Sequence, residues 1–177
     1  MPWQNFCIQP DMNIKPFEER TISGIGKKLL RKKETIAVAE SVTAGLLQAA
    51  ISQADDAIEF FQGGITTYNL GQKYKLLNVE PIHATRVNSV SDKVSAEMAL
   101  HVIERFNSDW GIGVTGFATA VPESGGKLFA YYTIARQKKI IAKGKLTAKK
   151  MPPLQIQLYY VNKILNAFLN HIGTYGT

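Results

Sequence analysis

A chain of 177 residues with 45% hydrophobic and 20% charged residues is long enough for one domain with its own core, and the single Cys7 excludes an internal disulfide. No run resembles a secretory leader or the roughly 18 apolar residues of a membrane span, so a soluble, cytoplasmic protein without a membrane partner is expected. The net charge of +7 is uneven: residues 124–177 hold eight Lys, one Arg and no acid, making that segment +9 and the rest −2. Such a bias admits a phosphate, nucleic-acid or acidic partner, and it equally fits a solvated lysine face.

Residues 1–15, with Pro2, Pro10, Asp11 and Asn13 and no periodicity, read as an irregular arm before a domain over 16–177. From Phe17 to Lys33 the positions Ile22, Ile25, Leu29 and Leu30 suit an amphipathic helix, against which Gly24 and Gly26 count. Thr35 to Ala39 is a short, nearly all-apolar run of the kind buried on both faces of a parallel sheet, and Leu46 to Ile51 opens a helix after it. After a loop at Gln53–Asp56, Phe60 to Tyr68 reads as a strand whose pair Gly63-Gly64 lets a backbone or ligand come close. Lys73 to Leu77 is a short helix, and a loop through Pro81 leads to Ser91. Ser91 caps a helix to about Phe106, striped by Val94, Met98 and Val102 and carrying His101, read as structural or exposed.

Trp110 to Gly116 is a further strand, ending in Thr115 and glycine. Phe129 to Ala135 and Lys138 to Leu146 form two strands joined by a turn at Arg136-Gln137, with lysines suited to a sheet edge. Leu154, Leu158, Val161, Leu165, Phe168 and Ile172 mark a closing helix. The order implies an α/β protein: a single three-layer α/β/α domain around a mixed, mostly parallel sheet.

Ser41 stands where a buried strand gives way to a helix, beside unpaired N–H groups and the positive end of the helix dipole. That place suits a nucleophile whose oxyanion needs backbone donors, although a helix cap by Ser41 or Thr43 is the plainer reading. Strand ends at Ser41, Tyr68 and Thr115 converge on one sheet edge, and Lys73 follows Tyr68 by five residues. His83, His101 and His171 stand in no arrangement that recommends a base. A buried, neutral Lys73 would serve; a solvated surface lysine is the alternative.

Ala39-Glu-Ser-Val-Thr-Ala-Gly45, Phe61-Gln-Gly-Gly-Ile-Thr-Thr-Tyr-Asn69 with Lys73, Val90-Ser91 before Glu97-Met98-Ala99, and Val114-Thr-Gly-Phe-Ala118 together resemble the C-terminal domain of the competence/damage-inducible protein CinA. The resemblance covers about residues 17–170, and the family includes stand-alone nicotinamide mononucleotide deamidases (PncC). It implies a Ser-Lys pair at Ser41 and Lys73, with Tyr68 as a third catalytic residue and Thr115 beside it lining the site. Thr43, Ala44 and Gly45 at the helix start, with Gly64, Thr115 and Gly116, are the candidate substrate-binding positions. It further implies hydrolysis of the nucleotide's carboxamide to the carboxylate with release of ammonia, no metal or other cofactor, and a homodimer.

Three departures from the family pattern bear on substrate. Ala44 replaces a glycine, Thr119 to Gly126 replaces a longer glycine- and proline-rich loop, and Lys149-Lys150-Met151-Pro152-Pro153 stands where the family has a Gly-Asp-Arg turn. Two other readings stay open: a relative whose altered loops no longer hold a nucleotide, and, ranked last for want of a recognisable motif, a basic nucleic-acid-binding protein.

Overall fold

Residues 16–173 are described by a computed structural model; the arm expected over 1–15 lies outside the described residues. The elements run α1 (Glu19–Lys32), β1 (Ile36–Glu40), α2 (Leu46–Ile51), β2 (Phe61–Thr66), α3 (Leu70–Leu77), α4 (Pro81–Arg86), α5 (Asp92–Phe106), β3 (Trp110–Phe117), β4 (Phe129–Arg136), β5 (Lys139–Thr147) and α6 (Pro153–Ile172). Their strands form one sheet in the order β2-β1-β3-β4-β5. β1 pairs in parallel with β2 and β3, while β4 runs antiparallel to β3 and β5. Only β4 is therefore reversed, and the mixed, mostly parallel sheet expected from the sequence is the one found.

Alternation along the strands sorts the two faces. Ile36 and Val38 of β1 with Trp110, Ile112 and Val114 of β3 face α1, α2 and α6, where Leu29, Leu47, Tyr160 and Phe168 complete a buried cluster. Trp110 meets Phe168 edge-on at 5.3 Å between centroids. Ala37 and Ala39 face the opposite layer, with Leu77, Val94, Met98 and Val102 from α3 and α5. The glycines of Trp110-Gly-Ile-Gly-Val set how closely α5 lies on that face. A Cβ at Gly111 would stand 2.2 Å from the Ala99 carbonyl oxygen, and one at Gly113 2.2 Å from that of Ser95. Only glycine allows this helix-to-sheet approach, which brings α5 and its preceding turn down to the carboxyl edge.

Three local expectations shift. Residues 81–86, read as loop, form α4: Pro81 takes the first helical position and Glu80 accepts from the N–H groups of Ile82 and His83 at 2.7 and 2.8 Å. A helix this short shows no periodicity to read. β2 ends at Thr66, so Thr67 and Tyr68 leave the ladder. The hairpin turn moves one residue on, to Gln137-Lys138, with Gln137 at φ 52.

Candidate active site

β1 delivers Ser41 to the carboxyl edge of the sheet between β2 and β3. The chain then turns back through Ala44 (φ 51) and Gly45 (φ 98) into α2. Gly45 offers no side chain to cap that helix, and Glu40 takes over the task. Its fully buried carboxylate accepts from the Thr43 hydroxyl and from the N–H groups of Gly45, Leu47 and Gln48 at 3.1, 3.0 and 2.9 Å. A negative charge at the amino end of a helix is favourable in itself, and here it also fixes the strand end from which Ser41 projects.

Lys73 comes to Ser41 from α3, which begins where Asn69 Oδ1 accepts the Gln72 N–H at 3.0 Å. Its side chain is 1% exposed. Nζ donates to Ser41 Oγ at 2.9 Å and to the Thr67 carbonyl at 2.8 Å. The Thr67 N–H in turn donates to the Glu40 carbonyl at 2.8 Å, so β1, β2 and α3 are tied into one frame. No carboxylate pairs with Lys73 among the described residues. Burial lowers its pKa from 10.5 to about 8 because the ammonium loses water. At neutral pH roughly a tenth of the molecules then hold a free amine beside Ser41.

The pair opens on a cleft of about 380 Å³ whose walls include Ser41, Lys73, Tyr68, Thr115, Phe117 and Gln157. Thr115 is buried and donates to the Ser89 carbonyl at 2.8 Å, fixing a wall in which Asn88 and Ser89 both take left-handed conformations (φ 50 and 59). Gly116 also lines the cleft; a Cβ there would stand 2.4 Å from the Phe129 carbonyl oxygen, so β4 forces the glycine. From α6, Gln157 donates to the Val42 carbonyl at 2.8 Å and holds the peptide beside the nucleophile. No grouping of three or more His, Cys, Asp or Glu suited to a metal ion occurs among the described residues.

The sequence candidates thus divide. Ser41, Lys73, Thr115 and Gly116 meet in the cleft, and Tyr68 forms its rim. Tyr68 is 74% exposed, and its hydroxyl makes no hydrogen bond to Ser41 or Lys73. Thr43, Ala44, Gly45 and Gly64 do not line the cleft. Thr43 and the Gly45 N–H serve Glu40, the Ala44 N–H goes to the Ser41 carbonyl, and Ala44 is exposed. A Cβ on Gly64 would meet Val38 and Gln48, so that glycine accommodates α2 on the other face of the sheet. Sequence reasoning missed Glu40, Ser89 and Gln157. For Glu40 a signal existed: a helix opening without Ser, Thr, Asp or Asn at its cap needs an acceptor, and a carboxylate stood just before it.

Comparison with known proteins bears on the family and the fold. Residues 18–163 match the family described as CinA C-terminal domain. A CinA-like protein of Prochlorococcus marinus (strain MIT 9515) is 32% identical over 146 residues, covering 80% of this chain and 33% of its own length. A CinA-like protein of Synechocystis sp. (strain ATCC 27184 / PCC 6803 / Kazusa) is 41% identical over 102 residues, 57% of this chain and 24% of that protein. The chain thus spans a third or less of the length of these curated relatives. Among solved structures, a competence-damaged protein (CinA) superfamily protein from Escherichia coli is similar at TM-score 0.81 and 25% identity, over 89% of this chain and 92% of that one. The competence damage-inducible protein A from Klebsiella pneumoniae subsp. pneumoniae MGH 78578 shares the fold at TM-score 0.84 and 19% identity, over 89% and 98%.

Proposed function

Because the chain belongs to the CinA C-terminal domain family, we propose that it is a Ser-Lys amidohydrolase that converts the carboxamide of nicotinamide mononucleotide to the carboxylate. The observation that carries this reading is a buried lysine amine 2.9 Å from a serine hydroxyl, at the floor of a cleft, with its pKa lowered to about 8. Neutral Lys73 accepts the Ser41 proton as Oγ attacks the amide carbon, and the Thr67 carbonyl keeps the amine turned toward Oγ. The oxyanion takes an N–H just past the nucleophile, from Val42 or Thr43, since the N–H groups of Ala44 and Gly45 are already engaged. Collapse breaks the C–N bond, and Lys73 returns the proton to the departing ammonia. Water then attacks the acyl-serine, Lys73 takes its proton, and the acid leaves as Ser41 is restored.

A relative with the fold and no activity is the competing reading. The complete Ser41–Lys73–Thr67 arrangement counts against it, since a buried amine without a counter-charge costs stability that two neutral hydrogen bonds only partly return. The test is release of ammonia and acid from nicotinamide mononucleotide by purified protein. Ser41→Ala is expected to lower the rate by about 10³-fold or more; equal rates for the variant and the unaltered chain would remove Ser41 from the chemistry.

A further inference from the structure

Among the described residues the catalytic cleft holds one cation, Lys73, and that amine is committed to Ser41. A phosphorylated substrate must therefore find its cation elsewhere, and the sheet offers one in line with the nucleophile. Ser41 and Thr115 each stand two residues past the last register pair of β1 and β3, Ala39 opposite Gly113. Thr115 pairs with Tyr131 and Tyr131 with Lys145. The four residues make one transverse row on the face that carries α5, whose Ser95 meets Thr133, two residues along from Tyr131, at 2.9 Å.

Rings pave this row. Phe117, a wall of the cleft, meets Phe129 edge-on at 5.5 Å, and Phe129 meets Tyr131 at 5.8 Å. Lys145 Nζ leans over both, 4.4 Å from the Phe129 centroid and 5.2 Å from that of Tyr131. With Lys127, Lys150 and Thr147 it also lines a recess of about 330 Å³. Asp92, on the same face, is engaged by Lys143 at 2.8 Å, and Lys145 has no carboxylate partner among the described residues.

We propose that this strip is the distal half of the substrate site: the Phe117–Phe129–Tyr131 shelf supports the sugar, and Lys145 receives the phosphate of a nucleotide whose carboxamide lies at Ser41. The inference rests on the amidohydrolase reading and names the part of the molecule that selects a phosphorylated substrate. Neighbouring strands are about 4.8 Å apart, and the Lys145 ammonium is drawn back over β4, so it stands roughly 10 Å across the sheet from the nucleophile. That is the reach of a mononucleotide from base substituent to phosphate. The rings hold the ammonium in place before any ligand arrives, which lessens the ordering that binding would otherwise require.

The test is calorimetric titration of the Ser41→Ala protein, with and without Lys145→Gln, using nicotinamide mononucleotide and nicotinamide riboside, which differ by the phosphate alone. Lys145→Gln is expected to weaken mononucleotide binding about 10-fold and riboside binding less than about 2-fold, with Lys145→Arg restoring the preference. In the chain with Ser41 intact, the same variant should raise KM for the mononucleotide by a like factor and leave kcat unchanged. Equal weakening of both ligands, no change in either, no binding of either, or tighter Lys145-dependent binding of a short single-stranded oligonucleotide would each overturn the proposal. A Lys145-dependent preference without ammonia release would keep the subsite and reject the catalytic reading; ammonia release indifferent to Lys145 would do the reverse.

Discussion

At the amino-terminal end of β1 and β3, the Arg136 guanidinium is ion-paired with Glu34, whose other oxygen accepts the Trp110 indole N–H at 2.8 Å. Arg136 also lies over the Trp110 ring, 5.7 Å from its centroid. At the carboxyl end of the same strands, Lys73 is more deeply buried and meets only a hydroxyl and a carbonyl. Both ends set a cation against the sheet, half-buried at Arg136 and buried at Lys73, but only one supplies a counter-charge. The paired guanidinium joins three chain segments, whereas the unpaired Lys73 amine becomes a base near neutrality. The carboxylate that stands next to Ser41 in sequence, Glu40, is spent on the start of α2.

Replacing the two cation sites separately tests this contrast. Lys73→Met should reduce turnover of the carboxamide by about 10²- to 10⁴-fold, measured as ammonia release. It should also stabilise the fold. With the folded pKa near 8 and the ordinary value 10.5, the unfolded chain holds the proton more tightly. The resulting cost, of order 3 kcal/mol, is fully present below pH 8 and fades as pH rises toward 10.5. Allowing for the lost hydrogen bonds, urea denaturation should find Lys73→Met about 1–2 kcal/mol more stable at pH 7, with the gap closing by pH 10. A destabilised variant at pH 7 would mean that the amine is structural after all.

The opposite end should behave in the opposite way. Glu34→Ala strands the Arg136 charge and the Trp110 N–H, and should destabilise the protein by about 2–3 kcal/mol while the folded fraction keeps its kcat. Loss of turnover at full stability would contradict the division of labour. The smallest effect belongs to Ala44. Its left-handed conformation and exposure make Ala44→Gly stabilising by about 0.5–1 kcal/mol, and its place outside the cleft leaves KM unchanged. A lower KM in Ala44→Gly would restore that residue to substrate binding.

What could be read in the sequence follows the range of the interaction involved. The sheet and its two helical layers come from periodicity and strand-length apolar runs, and Ser41 from the abrupt passage of strand to helix. That Lys73 faces Ser41 came from the family resemblance; strand ends on one edge and a short helix by themselves left a solvated lysine equally open. What the sequence left open lies where a backbone detail decides. Ala44 and Gly45 look like a substrate cradle in sequence, yet the buried Glu40 carboxylate claims that helix start. Tyr68 stands one residue past Thr67, whose carbonyl holds Lys73, and that single step leaves it on the rim. Gln157 reaches Val42 across 115 residues, a contact that no local pattern announces.

The central claim is that Lys73 titrates near neutrality because it is buried without a counter-charge. Isotope-edited NMR of labelled lysine Cε and Nζ, with Lys73→Met used to assign the signal, reads that titration directly. One lysine should titrate near pH 8, and kcat/KM should rise about tenfold between pH 7 and pH 9 along the same curve. A Lys73 signal that titrates near the ordinary lysine value of 10.5 would contradict the account.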